Sequence, residues 1–344
     1  MSETLASIGE FGLIDRIHRI IKQDGVPQAG VRLGIGDDAA SFRPRDGFEI
    51  LVTCDCIVEG RHYLSGHISP HDLGRRAMAL NISDIGAMGG SPLYALVSLG
   101  LNNDTRVRDI EDLYLGFLAE LNPFGAGIIG GNLTKAVGAV FIDITLIGEV
   151  EVGKSIKRST AREGDTVLVT GFPGEAAAGL HLLLKGVPGH DLRSHPLVRR
   201  YNRPSHRAQE GRAVGLSGLA TAMIDTSDGF LGDLGHICEE SAVGAELIEE
   251  RLPVSDALRE AALQLGEDPL ELVLGDSDDY ELIITCAPEN VSPLCSALKA
   301  VSDVPVTEVG RLVERCRGLN LILPDGTSKS IRAGGWDHFM ASNK

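Results

Sequence analysis

Aspartates that close apolar runs or stand beside glycine are the clearest chemical pattern in the chain. They occur at Gly34-Ile35-Gly36-Asp37-Asp38, Cys54-Asp55, Asn81-Ile82-Ser83-Asp84 and Asp225-Thr226-Ser227-Asp228-Gly229. Magnesium prefers hard oxygen ligands and takes a few carboxylates alongside water and phosphate oxygens, so separated aspartates from several turns suit a metal and nucleotide site. Without cations their repulsion would be severe: two like charges about 4 Å apart cost roughly 4 kcal/mol at an effective dielectric of about 20. Taken singly, each motif also reads as a turn or a helix cap, since Asp and Gly are common in both. The four together point to a cation site.

Glycine is the second feature, at Gly86, Gly89-Gly90 and Gly130-Gly131-Asn132. A missing Cβ lets backbone N–H groups approach phosphate closely. No protein-kinase catalytic loop is present, so that nucleotide-binding design is absent. His62, in Glu59-Gly60-Arg61-His62-Tyr63, follows Asp55 closely enough to share its site, and equally reads as a structural or surface histidine. Trp336 is the single tryptophan, in Gly334-Gly335-Trp336-Asp337-His338-Phe339. It reads either as an anchor for the tail or as a flat ring for a heteroaromatic ligand.

The elements that must position these residues alternate along the chain. In the first half, strands are expected over Glu49–Asp55, Tyr94–Leu101 and Ala139–Val150, and helices over Ile14–Lys22, Leu73–Ala87 and Arg108–Leu121. Apolar content falls and basic residues gather between Glu151 and Gly164. A boundary there divides the 344 residues into domains 1–152 and 153–344, in keeping with the size at which single cores stop growing. The second half repeats the alternation, with strands near Thr166–Thr170, Ala220–Ile224 and Glu281–Thr285 and helices near Ala176–Lys185, Phe230–Ser241 and Val291–Lys299. An α/β or α+β fold is implied.

A net charge of −16 argues against nucleic acid or an anionic membrane as the main partner. Bound anions then require local Lys, Arg, backbone N–H groups or metal ions. The six cysteines are scattered, and Cys54-Asp55-Cys56 lacks the two-residue spacing of zinc and redox pairs, so reduced thiols are expected. Met1 to Gly9 carries no basic region followed by an apolar run, and no stretch approaches a membrane span. A cytoplasmic location is the expectation.

Nine segments, in order along essentially the whole chain, resemble the signatures of the thiamine-monophosphate kinases: Gly9-Glu10-Phe11, LGIGDDAA (33–40), TCDCIVEGRHY (53–63), NISDIGAMGG (81–90), GGNLT (130–134), KRSTAREGDTVLVTG (157–171), IDTSDGFLGDLGHI (224–237), DDYEL (278–282) and GGWDHF (334–339). The resemblance implies a two-domain fold like that of aminoimidazole ribonucleotide synthetase. Its N-terminal sheet would form a barrel shared in a homodimer, and a C-terminal α/β domain would follow. It implies ATP-dependent phosphorylation of thiamine monophosphate to thiamine diphosphate, with several Mg²⁺ ions and no general base. By the same resemblance, Asp38, Asp55, Asp84, Asp225 and Asp228 would hold Mg²⁺, with Thr53, Cys54 and Asn132 at further metal positions. Gly131, Asn132, Arg158, Ser227 and Tyr114 would contact ATP, and His62, Asp278 and Trp336 the thiamine phosphate.

Three departures from the family pattern stand out. Asn132 replaces an aspartate, and Cys54, a soft ligand poorly suited to Mg²⁺ except through its carbonyl, replaces Ser or Thr. Asp276-Ser277-Asp278 replaces Gly-Gly-Glu. The first and last leave open two alternatives: a relative that uses ATP on another phosphorylated acceptor, and a non-catalytic nucleotide or thiamine-phosphate binding protein.

Overall fold

The computed structural model describes residues 3–25, 30–186, 192–332 and 334. The chain divides into two compact units, residues 1–86 with 90–155, and residues 87–89 with 156–344.

The first unit runs α1 (Leu5–Asp24), β1 (Val31–Leu33), β2 (Ser41–Phe42), β3 (Phe48–Val58), α2 (Pro70–Ala87), β4 (Ser91–Leu101), α3 (Val107–Leu121), β5 (Gly127–Lys135) and β6 (Phe141–Glu151). Its main sheet has the order β3-β6-β4-β5, antiparallel except for the parallel β4–β5 pair. Strand β6 shows why it lies where it does. Ile142, Ile144 and Leu146 are buried while Phe141, Asp143, Thr145 and Ile147 between them are half-exposed, so one face packs and the other stays open. Helix α3 supplies Ile110, Leu113, Phe117 and Leu121 to that core. It approaches α2 through two glycines: a Cβ on Gly74 would stand 2.1 Å from the Leu113 carbonyl oxygen, and one on Gly116 2.1 Å from that of His71. Only the missing side chains permit so close a crossing.

The second unit runs β7 (Thr166–Thr170), α4 (Glu175–Lys185), α5 (Pro196–Asn202), α6 (Ala208–Ser217), β8 (Ala220–Asp225), α7 (Phe230–Glu240), β9 (Val243–Ile248), α8 (Asp256–Leu265), α9 (Pro269–Leu274), β10 (Leu282–Cys286), α10 (Val291–Lys299), β11 (Val306–Glu314), β12 (Leu319–Ile322) and β13 (Ser328–Ser330). The sheet order is β13-β12-β9-β11-β7-β10-β8, with β12–β9 its parallel pair. Every residue of β7 and β10 is buried, as expected of central strands covered on both faces. Leu168, Val214, Met223, Ile284, Leu294 and Leu298 share one apolar cluster there. Among the described residues, no helix is long and apolar enough to cross a membrane.

Candidate active site

In the first unit the pleat of β3 sorts the predicted ligands. Side chains alternate across a strand, so Thr53 and Asp55 share one face and Cys54 and Cys56 the other. The contacts agree. The Thr53 hydroxyl donates to the Asp84 carboxylate on α2, whereas the Cys54 thiol donates to Asp143 Oδ1 at 3.4 Å and accepts from Thr145 Oγ1 at 3.6 Å, both on β6. Cys54 therefore has only its backbone carbonyl to offer on the side of Asp84. Its thiol is pulled down by the Thr145 hydroxyl but lifted more by burial and the Asp143 carboxylate, and so stays protonated. Asn132 is exposed and pairs with Ser98, which pairs with Asp143, so the register groups it with the cysteine face.

Asp38 lies in an exposed turn before β2, its N–H bonded to Asp37 Oδ1 at 2.9 Å. Gly131 has a packing reason for its identity, since a Cβ there would meet the Val97 carbonyl oxygen at 2.0 Å. His62 closes the turn after β3: Val58 donates its N–H to His62 Nδ1 at 3.0 Å, and the His62 N–H returns to the Val58 carbonyl at 3.0 Å. An Nδ1 that accepts leaves the proton of a neutral ring on Nε2. Tyr114 is 4% exposed inside the core, edge-on to Phe117 at 5.2 Å, and burial keeps its phenol protonated.

In the second unit two loops cross. Strand β8 ends at buried Asp225, and Thr226 then exchanges backbone hydrogen bonds with Glu281 and Tyr280, while its hydroxyl accepts from Glu281 N at 3.0 Å. Gly229 has φ +113, and a Cβ there would stand 2.3 Å from the Gly275 carbonyl oxygen. The Ser227 and Asp228 N–H groups both donate to Asp233 Oδ2, at 3.0 and 3.1 Å. Asp233 is 1% exposed, and burial raises its carboxyl to about 7 against the pull of those two N–H groups and of Arg158. Arg158 itself is exposed, its carbonyl held by Ser241 Oγ at 2.7 Å.

The other loop is anchored on α4. Asp279 accepts from Gly174 N at 2.6 Å and Ala176 N at 2.7 Å, and Ser277 Oγ from Ala177 N at 3.1 Å, so both side chains satisfy donors that a helix start leaves open. Tyr280 follows at φ +56, and Glu281 forms a buried two-pronged ion pair with Arg207. Asp278 is half-buried between these anchored neighbours.

Thr53 and Asp84 are thus in contact, and Ser227 and Asp228 are held in one turn. Among the described residues, the one group of three potential ligands with atoms all within 4.8 Å of one another is Asp228, Asp233 and His236, so Asp38, Asp55 and Asp84 do not form such a group. Trp336 lies outside the described residues. Sequence reasoning missed Thr226, Asp233, His236, Ser277 and Asp279. The available signal for Asp233 was an acid one turn into a helix whose N-cap is glycine.

Comparison with known proteins adds the decisive observation. Residues 36–150 match the N-terminal domain of the AIR synthase related proteins and residues 162–319 their C-terminal domain. The thiamine-monophosphate kinase of Bacillus subtilis (strain 168) is 33% identical over 330 residues, covering 94% of this chain and 98% of that protein. This chain belongs to the thiamine-monophosphate kinase family. The crystal structure of the family member from Stenotrophomonas maltophilia K279a superposes with a TM-score of 0.79 at 34% identity, covering 93% of this chain and 97% of that one. A further structure, AaThiL complexed with AMPPCP and TMP, gives a TM-score of 0.75 at 31% identity, covering 96% and 97%. The two-domain fold expected from the sequence is the fold observed.

Proposed function

We propose that this protein transfers the γ-phosphoryl group of ATP to the phosphate of thiamine monophosphate, giving thiamine diphosphate and ADP. The observation that carries the reading is the full-length relation to thiamine-monophosphate kinases, one of which holds AMPPCP and TMP. The chemistry suits the residues. A phosphate monoester has a second pKa of about 6 and is largely a dianion at neutral pH, so the acceptor needs no general base. His62 fits this, because the ring whose Nδ1 accepts from Val58 presents an N–H at Nε2 and serves as a donor to phosphate.

The donor set suits magnesium: carboxylates and a hydroxyl, hard oxygens, with the one soft atom, Cys54 Sγ, turned to β6. Bound magnesium would offset the repulsion between the two anions and stabilise the charge that spreads over the transferred group. Magnesium ions would be held in the first unit by Asp38, Asp55, Asp84, Thr53 and the Cys54 carbonyl, and others in the second by Asp225 and Asp228. Asn132, expected among the metal and ATP ligands, lies in register with the cysteine face and is not grouped with Thr53 and Asp84. Gly131, Arg158 and Ser227 would bind ATP, with Arg158 making charge-assisted contacts to phosphate. Tyr114, expected to touch ATP, is buried in the first unit's core and would act through packing and not through direct contact. Asp278, with Trp336, would bind the thiamine moiety.

The reading extends to a homodimer paired through the open sheet face, where Val52 is 65% exposed and pairs with half-exposed Ile147. It also extends to the cytoplasm, in keeping with six free cysteines. A second reading, the same nucleotide chemistry on another phosphorylated acceptor, draws on residues 276–278, where Ser277 is committed to capping α4 and Asp276 is exposed.

The test is formation of ADP and thiamine diphosphate by purified protein with ATP, Mg²⁺ and thiamine monophosphate, beside Asp84→Asn. Equal amounts of both products, lost in the variant, are expected. Nucleotide binding without either product would favour the second reading.

A further inference from the structure

The turn from Asp225 to Gly229 has an unusual supporting problem. The N-cap residue of α7 is Gly229, and it must be glycine, because its φ is +113 and a Cβ would strike the Gly275 carbonyl oxygen at 2.3 Å. Position 229 therefore has no side chain with which to accept the N–H groups around the start of the helix, the usual task of the N-cap residue. The Ser227 and Asp228 donors, which lie just before the cap, are met from within the helix. Asp233 reaches back from the first turn of α7, and one of its oxygens takes both, at 3.0 and 3.1 Å. The Asp233 N–H bonds the Gly229 carbonyl at 3.0 Å, so side chain and backbone together close the turn. Asp233 is 1% exposed, and its carboxylate feels the charge of Arg158.

We propose that Asp233 is a positioning residue for nucleotide: its buried carboxylate fixes the backbone of Ser227 and Asp228, and thereby the aim of both side chains and the electrostatic setting of Arg158. This rests on the kinase reading for the roles of those three residues, and assigns to Asp233 no contact with substrate. One oxygen serving two amides makes the role a matter of acceptor geometry. An amide oxygen at the same place would restore it, whereas a side chain too short to reach would not.

The experiment measures Mg²⁺-AMPPCP binding by calorimetry on the full-length protein, with Asp233→Ala and Asp233→Asn beside the unchanged chain. Thermal melting and circular dichroism establish that each variant is folded. The Ala variant is expected to bind roughly tenfold more weakly, an amount of about 1.4 kcal/mol, and the Asn variant within about threefold of the parent. In turnover assays the Ala variant should raise KM for ATP with KM for thiamine monophosphate unmoved. Hydrogen exchange should show the Ser227 and Asp228 amides losing protection in Ala and keeping it in Asn. If Ala melts below the assay temperature, Asp233→Ser takes its place with the same expectation, its hydroxyl being too short to reach either amide. A folded Ala or Ser variant that binds nucleotide within twofold of the parent would overturn the proposal. So would an Asn variant as weak as Ala, or an equal rise in both KM values. Because binding is measured apart from turnover, a parent protein that binds nucleotide but makes no thiamine diphosphate removes the kinase reading and leaves the Asp233 comparison standing.

Discussion

Replacing Thr53 by Val removes the hydroxyl that donates to Asp84 and leaves that carboxylate short of a donor. A hydrogen bond to a charged group contributes about 1.5–3 kcal/mol, so the Mg²⁺ concentration for half-maximal turnover should rise by roughly tenfold or more. Cys54→Ala, one residue on, should raise it at least about tenfold less, because that side chain contacts Asp143 and Thr145 on the other face. Magnesium titrations of the two variants decide the matter, and equal effects would refute the sorting of ligands by the pleat. At this scale the sequence was informative about residue type and silent about direction. The aspartates announced themselves by their place at strand ends. That Cys54 faces away from Asp84, that Asn132 lies in register with the cysteines, and that Tyr114 is buried follow from pairing partners far along the chain, which no local pattern contains.

Two elements invite tests of their own. Helices α2 and α3 meet where Gly74 and Gly116 lack side chains, and Gly116→Ala would push a methyl group against the His71 backbone. Backbone cannot rotate aside as a side chain can, so a cost of about 1–3 kcal/mol is expected, read as a fall of several degrees in melting temperature. The start of α4 carries the buried Asp279 carboxyl, which burial raises to about 7 from an ordinary 3.8, against the N–H donors that favour its ionised form. The folded state thus holds this proton more tightly than the unfolded chain. Its contribution to stability is full below pH 3.8 and is lost as pH rises to about 7. Melting temperatures between pH 5 and about 8 should therefore fall more steeply for the parent than for Asp279→Asn, which has nothing to ionise there. Equal slopes would refute it. The long amphipathic and β-branched elements were legible: β7 and α10 have the expected bounds, α3 begins one residue early and β4 three. Strand β5 was not, because Gly127, Gly130 and Gly131 carry no propensity signal and its place depends on contact with β4. The short α5 and α9 begin with proline at their first turn and depend on neighbours more than on periodicity.

For the molecule as a whole, the open face of the first unit's sheet is the feature that a second copy would cover. Val52→Asp places a charge where Val52 pairs with Ile147, and should shift the protein toward monomer in analytical ultracentrifugation, whereas an unchanged mass would place the contact elsewhere. Length foretold two domains, and the alternation of strands and helices foretold the class. The predominance of antiparallel pairing was not foretold, since strand direction depends on which strands become neighbours. The pleat of β3 has a practical corollary. Cys56 is exposed on the same face as Val52, while Thr53 looks the opposite way toward Asp84. A fluorophore attached at Cys56 would then serve as an optical reporter of one copy meeting another, quenched or shifted as the faces close, without intruding on the carboxylates one side chain away.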